Sequence, residues 1–137
     1  MNRYLALTSI LVNDYDEAIN FYVNKLDFDL REDTATVTSA APDAPKRWVV
    51  VAPSKQSQCA LLLAQASDDA QRARVGDQTG GRVFLFLNTD DFWRDYEMYK
   101  SRGVEFVRGE PREEAYGTVA VFKDVSGNLW DLIERKQ

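Results

Sequence analysis

The chain has 137 residues, 45% of them hydrophobic and 28% charged, the size and composition of one ordinary globular domain with its own core. Its 17 basic and 22 acidic residues give a net charge of −5 with no basic stripe, which argues against a nucleic-acid partner. A lone cysteine excludes an internal disulfide, and the lack of any histidine removes the commonest metal ligand and general base.

Tyr4 to Val12 is apolar over a strand's length and is followed at once by acidic residues. It reads as a first strand, neither a signal peptide nor a membrane span, and the expected compartment is the cytoplasm. A helix is predicted from about Tyr15 to Lys25, with Tyr15, Ala18, Ile19 and Tyr22 on one face. Asp14 is placed to cap it, and Glu17 completes a capping-box-like pattern. There follow a strand "DFDLRE", a polar loop "DTATVTSAAPDAPK", a strand "RWVVVA" and a strand "CALLLA".

A polar connection, "QASDDAQRARVGDQTGG", has the spacing for a short helix, and its paired glycines mark a break. The order then restarts. "RVFLFLN" predicts a strand, and "DFWRDYEMYKSRG" a helix ended by Gly103. "VEFVRG" predicts a strand, "EPREEAYG" a loop, and "TVAVFKD" and "LWDLIE" the last two strands. A shift of 77 places Leu7 on Phe84, Asp14 on Asp91, Tyr15 on Phe92 and Tyr22 on Tyr99; a shift of 70 places 48–64 on 118–134. The chain therefore reads as a duplication. The expected fold class is α+β, one domain over 1–137, with a first module at about 1–66, a connection at about 67–80 and a second module at about 81–137.

"ILVNDYDEAINFYVNKLDFDL", "FLNTDDFWRDYEMYKSRGVEFV" and "DVSGNLWDLIE" resemble the vicinal oxygen chelate superfamily, which includes glyoxalase I, extradiol dioxygenases, and fosfomycin- and bleomycin-resistance proteins. The resemblance covers nearly the whole chain. It implies two βαβββ modules whose curved sheets form an open barrel around a cleft, and a homodimer. It also implies, in metal-dependent members, a divalent cation held by His, Glu or Gln from the first and last strands of each module. Carried onto this chain, those positions are Leu7, Leu61, Phe84 and Asp131. Three are apolar, and one carboxylate does not hold Zn²⁺, Fe²⁺ or Mn²⁺. Adding Ser9 and Asn88 supplies only neutral, weak donors. No metal or other cofactor is expected.

Strand alternation puts Leu7, Ser9, Leu11, Cys59, Leu61, Leu63, Phe84, Phe86, Asn88, Leu129, Asp131 and Ile133 on the expected cleft face. This apolar set with few polar points either lines a small-molecule pocket or fills a small barrel. Trp48, Phe122 and Tyr116 are placed to stack on a planar ligand or to pack, and Arg112 is placed to anchor an anion at the rim. Trp93 and Trp130 read as core, and Cys59 as a small buried hydrophobe. Asp131 is either a structural carboxylate, taking backbone N–H groups or pairing with Arg47 or Arg112, or a ligand-binding or acid–base group with a raised pKa.

Three functions follow as expectations. The first is a metal-independent protein that binds a small amphipathic molecule, for which the net charge suits cationic drugs, with no nucleic-acid or membrane partner. The second is an enzyme, glyoxalase-like or dioxygenase-like with a metal, or using Asp131 without one. The third is a structural or regulatory dimer with a filled barrel.

Overall fold

The computed structural model describes residues 2–36 and 46–137. The chain divides into two compact units, Met1–Val75 and Gly76–Gln137. Both repeat one order of elements, as the duplicated sequence pattern predicts.

In the first unit, β1 (Leu7–Val12) leads into α1 (Tyr15–Ile19), which continues as a π-helical turn over Asn20–Lys25. Strands β2 (Asp29–Ala35), β3 (Arg47–Ala52) and β4 (Ala60–Gln65) follow, then a short helix α2 (Asp69–Arg72). The sheet order is β1-β4-β3-β2, with β1 parallel to β4 and the other pairs antiparallel. Asp14 caps α1, accepting the Asp16 backbone N–H. Most of the predicted polar loop, residues 37–45, lies outside the described residues.

In the second unit, β5 (Val83–Asn88), α3 (Phe92–Ser101), β6 (Glu105–Glu114), β7 (Gly117–Lys123) and β8 (Leu129–Arg135) form a sheet of order β5-β8-β7-β6. Asp91 caps α3 as Asp14 caps α1. Gly103, at φ 85, follows the last turn of α3 in the left-handed conformation expected of a helix stop. Neither four-stranded sheet closes on itself; each keeps two edge strands.

Each sheet has a helix-covered face. In the first unit Ile10, Val12, Val49, Val51, Leu61 and Leu63 are buried there with Ala18 and Tyr22 of the helical segment. In the second, a run of stacked, tilted and edge-to-face rings leads from Phe92 through Tyr96, Phe106 and Phe122 to Trp130. Phe122 is thus core rather than a ligand-stacking residue, and Trp130 is core as expected. Trp93 is the reverse: it lies edge-on to Phe92 and Tyr96 but stays half exposed on α3.

Two sequence expectations fail for identifiable reasons. "EPREEAYG" is not a loop, because β6 runs on to Glu114 and turns into β7 through only Ala115 and Tyr116. The irregularity lies earlier: Val107 pairs with Val121 and Arg112 with Val119, so three extra residues bulge out of β6. The second failure is one of register. Seven residues, 53–59, join β3 to β4, but only five, 124–128, join β7 to β8. An ungapped shift of 70 therefore misaligns each strand by one residue, and in a strand one residue is the other face. Leu61 turns to the helix-covered side, 5% exposed, and Leu62 takes the position equivalent to Asp131.

Candidate functional site

The faces opposite the helices carry the candidate residues. In the first unit Ser9, Leu62 and Val50 are cross-strand neighbours, and alternation puts Leu7, Leu11, Ala64 and Trp48 with them. Leu61 and Leu63 leave the predicted set for the reason just given. Trp48, 40% exposed, borders a hollow of about 370 Å³ shared with Leu11, Leu62, Ala64, Tyr15 and Arg47. Of the two basic residues lining it, Lys46 and Arg47, Arg47 is already neutralised. Arg47 donates to Asp33 at 2.7 and 3.0 Å and to Asp16 at 2.9 Å, and lies over the Tyr15 ring. Its bonds to Asp33 and then Asp16 raise its pKa, and the same bond lowers that of Asp33. This is a structural clasp.

In the second unit one row runs Phe86–Asp131–Val121–Val107 across the sheet, and the next runs Asn88–Ile133–Val119–Arg112. Phe86, Asn88 and Asp131 therefore share a face, as alternation predicts, and Arg112, expected in a loop at the rim, joins them there from β6. Phe84 does not join them by pairing, because it lies in the register shift between Val83 and Leu85; Phe86 stands beside Asp131 instead. Tyr116 is exposed at the β6–β7 turn, where its carbonyl accepts the Lys136 N–H.

A hollow of about 350 Å³ opens on this face, lined by Gly81, Arg82, Val83, Phe86, Arg108 and Asp131. Phe86 is 66% exposed, an unusual cost for a Phe on a strand. Asp131 is half-buried and, among the described residues, its carboxylate makes no hydrogen bond or ion pair. Burial pushes its carboxyl above the ordinary value, partly offset by the fields of Arg112 and Arg108. Arg112 pairs at 3.7 Å with Glu114, not with Asp131, and Arg47 is engaged in the first unit. Arg108 donates to the Gly81 carbonyl at 3.2 Å, and neither it nor Arg82 is in an ion pair among the described residues.

The structural carboxylate of this segment is a residue that sequence reasoning passed over. Asp124, 5% exposed, accepts the N–H groups of Ser126 and Asn128, the Asn128 Nδ2 and the Trp130 indole Nε1, all between 2.9 and 3.1 Å. It ties the five-residue turn to the core. The available signal was an Asp opening a Ser-Gly-Asn turn, a setting in which a carboxylate takes nearby backbone N–H groups. Arg82 and Arg108 were also missed.

The positions implied for a metal do not fit one. With the observed register they are Leu7 or Ser9, Leu62, Phe84 or Phe86, and Asp131: one carboxylate, at most one hydroxyl, and hydrocarbon. Among the described residues, no three His, Cys, Asp or Glu side chains are grouped to hold an ion.

The sequence pattern of the Glyoxalase/Bleomycin resistance protein/Dioxygenase superfamily matches residues 4–132. The chain belongs to this superfamily. An uncharacterised protein of Shewanella frigidimarina is 55% identical, the match covering 98% of this chain and 95% of that protein. Among solved structures, UcmS2 is 29% identical with a TM-score of 0.79, covering 97% of this chain and 98% of that one. TnmS3, an antibiotic binding protein from Streptomyces sp. CB03234, is 28% identical with a TM-score of 0.75, covering 98% of each chain. No helix among the described residues is long and apolar enough to cross a membrane.

Proposed function

We propose that this superfamily member binds an amphipathic small molecule without a metal, in the manner of a resistance or carrier protein. One observation carries the reading. Among the described residues, Asp131 and Arg108 meet at one hollow without an ion pair, with Arg82 also lining it and Phe86 exposed beside them. Charges held in a fold for structural reasons are paired, as Arg47 is with Asp33 and Asp16. Charges left open around an apolar platform suit recognition of a ligand that brings its own partners. The hydrocarbon at the implied metal positions supports metal independence, and the likeness to an antibiotic binding protein supports binding over turnover.

The protein is proposed to act as a cytoplasmic homodimer, for which exposed Tyr4, Leu5 and Leu7 at the β1 end supply apolar surface. Light scattering at micromolar concentration should return twice the chain mass; a monomer refutes this part alone.

The test is thermal denaturation of chelator-treated protein with bleomycin and with planar aromatic antibiotics. A ligand at a hundred times its Kd should add about 2.7 kcal/mol of stability, with or without chelator. Elemental analysis showing one Zn, Mn, Fe or Ni per chain would overturn the reading.

A further inference from the structure

The second unit's hollow carries the opposite charge balance from the chain as a whole. The protein is at −5, yet two of the residues lining this hollow are arginines and only one is acidic, and the Arg108 guanidinium sits at the Gly81 carbonyl within it. Arg112, one row from Asp131 on the same face, adds a further positive field.

Arg108 is placed there by an unusual backbone. Its φ is 60, the left-handed region that a side chain with a β-carbon rarely adopts, and Gly109 follows at φ 91. Both lie in the three-residue bulge of β6. In a regular strand Arg108 would alternate with Val107 and point to the helix-covered face. The bulge instead turns it to the hollow, where it donates to the Gly81 carbonyl at 3.2 Å. A guanidinium carries five N–H donors, so that one bond leaves most of the planar fork for another acceptor. A strained, non-glycine bulge that delivers to a pocket a cation without an ion pair among the described residues is a feature that packing does not explain.

Resting on the reading that this hollow binds a small molecule, we propose that it selects an aromatic acid. The ring lies on Phe86, the anionic group is held by Arg108 with Arg82, and a hydroxyl of the ligand donates to Asp131. The fork geometry of arginine matches a carboxylate in a way a lone positive charge does not. A cationic ligand drawn to Asp131 would meet the Arg108 guanidinium in the same hollow and the field of Arg112 beside it, so the cationic class suggested by the net charge is disfavoured here.

The experiment is isothermal titration of chelator-treated protein with three ligands of matched ring: 3-hydroxy-2-naphthoate, 2-naphthol and 2-naphthylmethylamine. The acid should bind about tenfold more tightly than either other compound, the scale of one charge-assisted bidentate contact. Arg108→Gln should bring the ratio of acid to naphthol affinity close to one, and Arg108→Lys should leave it intermediate. Arg108→Gly guards against a folding defect: glycine accepts this φ without strain, so it should melt no lower than the parent while losing the preference for the acid. Should the amine bind as tightly as the acid, or Arg108→Gly keep the preference, the aromatic-acid inference falls and the binding reading stands. If none of the three compounds binds the parent protein, the aromatic-acid inference falls, and the binding reading falls with it only if the antibiotics also give no thermal shift.

Discussion

Asp124 and Asp131 lie seven residues apart, and among the described residues the first carboxylate accepts four hydrogen bonds while the second accepts none. Replacing Asp124 by Ala removes the acceptor of three well-buried donors: the Asn128 N–H, the Asn128 Nδ2 and the Trp130 Nε1. Ser126 is less buried, and water can replace its bond. At about 1–3 kcal/mol for each buried donor left unsatisfied, the expected loss is about 3–6 kcal/mol after partial relaxation. For a domain of this length that is a fall in Tm of about 10–20 °C. Asp124→Asn keeps Oδ1 for the two backbone donors but sets an amide NH₂ against the indole, so about half the loss is expected. Thermal melting followed by far-UV circular dichroism reads the stability, and near-UV circular dichroism reads the Trp130 environment. A cycle with Trp130→Phe isolates the indole bond as a coupling of about 1 kcal/mol. If Asp124→Ala melts within about 2 °C of the parent, the carboxylate is not what holds this turn, and the division of labour between the two acids fails.

Asp131→Asn should act in the other direction. Because burial raises its folded-state pKa above the ordinary 3.8, ionisation of Asp131 opposes folding at neutral pH, and that penalty disappears as pH falls below 3.8. The variant should therefore melt higher than the parent at pH 7 and lose the advantage at pH 3; a lower Tm at pH 7 would mean that Asp131 is a structural acceptor after all. The observed register predicts that Leu61→Ala costs about 2–5 kcal/mol and half-buried Leu62→Ala clearly less, which urea titration can measure. An inverted order would restore the ungapped alignment of the two modules. Gly117→Ala should cost more than about 1 kcal/mol, since a β-carbon at φ 154 would collide with the Glu134 carbonyl. Wild-type stability in that variant would show that the β6–β7 turn yields to admit the methyl group.

The doubled βαβββ order was legible because it depends on local signals: Asp14 and Asp91 at equivalent helix starts, apolar runs of strand length, and Gly103 as a stop. Asp131, Phe86 and Asn88 could be placed on one face because alternation carries across a regular pairing, whereas Arg112 reaches that face only past the irregularity in β6. What was not legible depends on pairing between strands. Nothing within "CALLLA" says that its hairpin is two residues longer than its counterpart, so Leu61 was set on the wrong face. Nothing within "VEFVRGEPREE" announces three bulged residues, apart from a glycine beside Arg108. The key cation of the hollow was hidden by the same irregularity that positions it. Asp124 escaped notice because its partners include an indole six residues along, which only the folded turn brings back.

Native mass spectrometry of the purified protein mixed with 3-hydroxy-2-naphthoate tests the central claim most directly, since one spectrum weighs chain, ligand and metal together. The account predicts a species carrying ligand with no metal mass, undiminished after exhaustive chelation and weakened by Arg108→Gln. A species that retains one metal ion per chain, or that takes up ligand only when a metal is added, would contradict it.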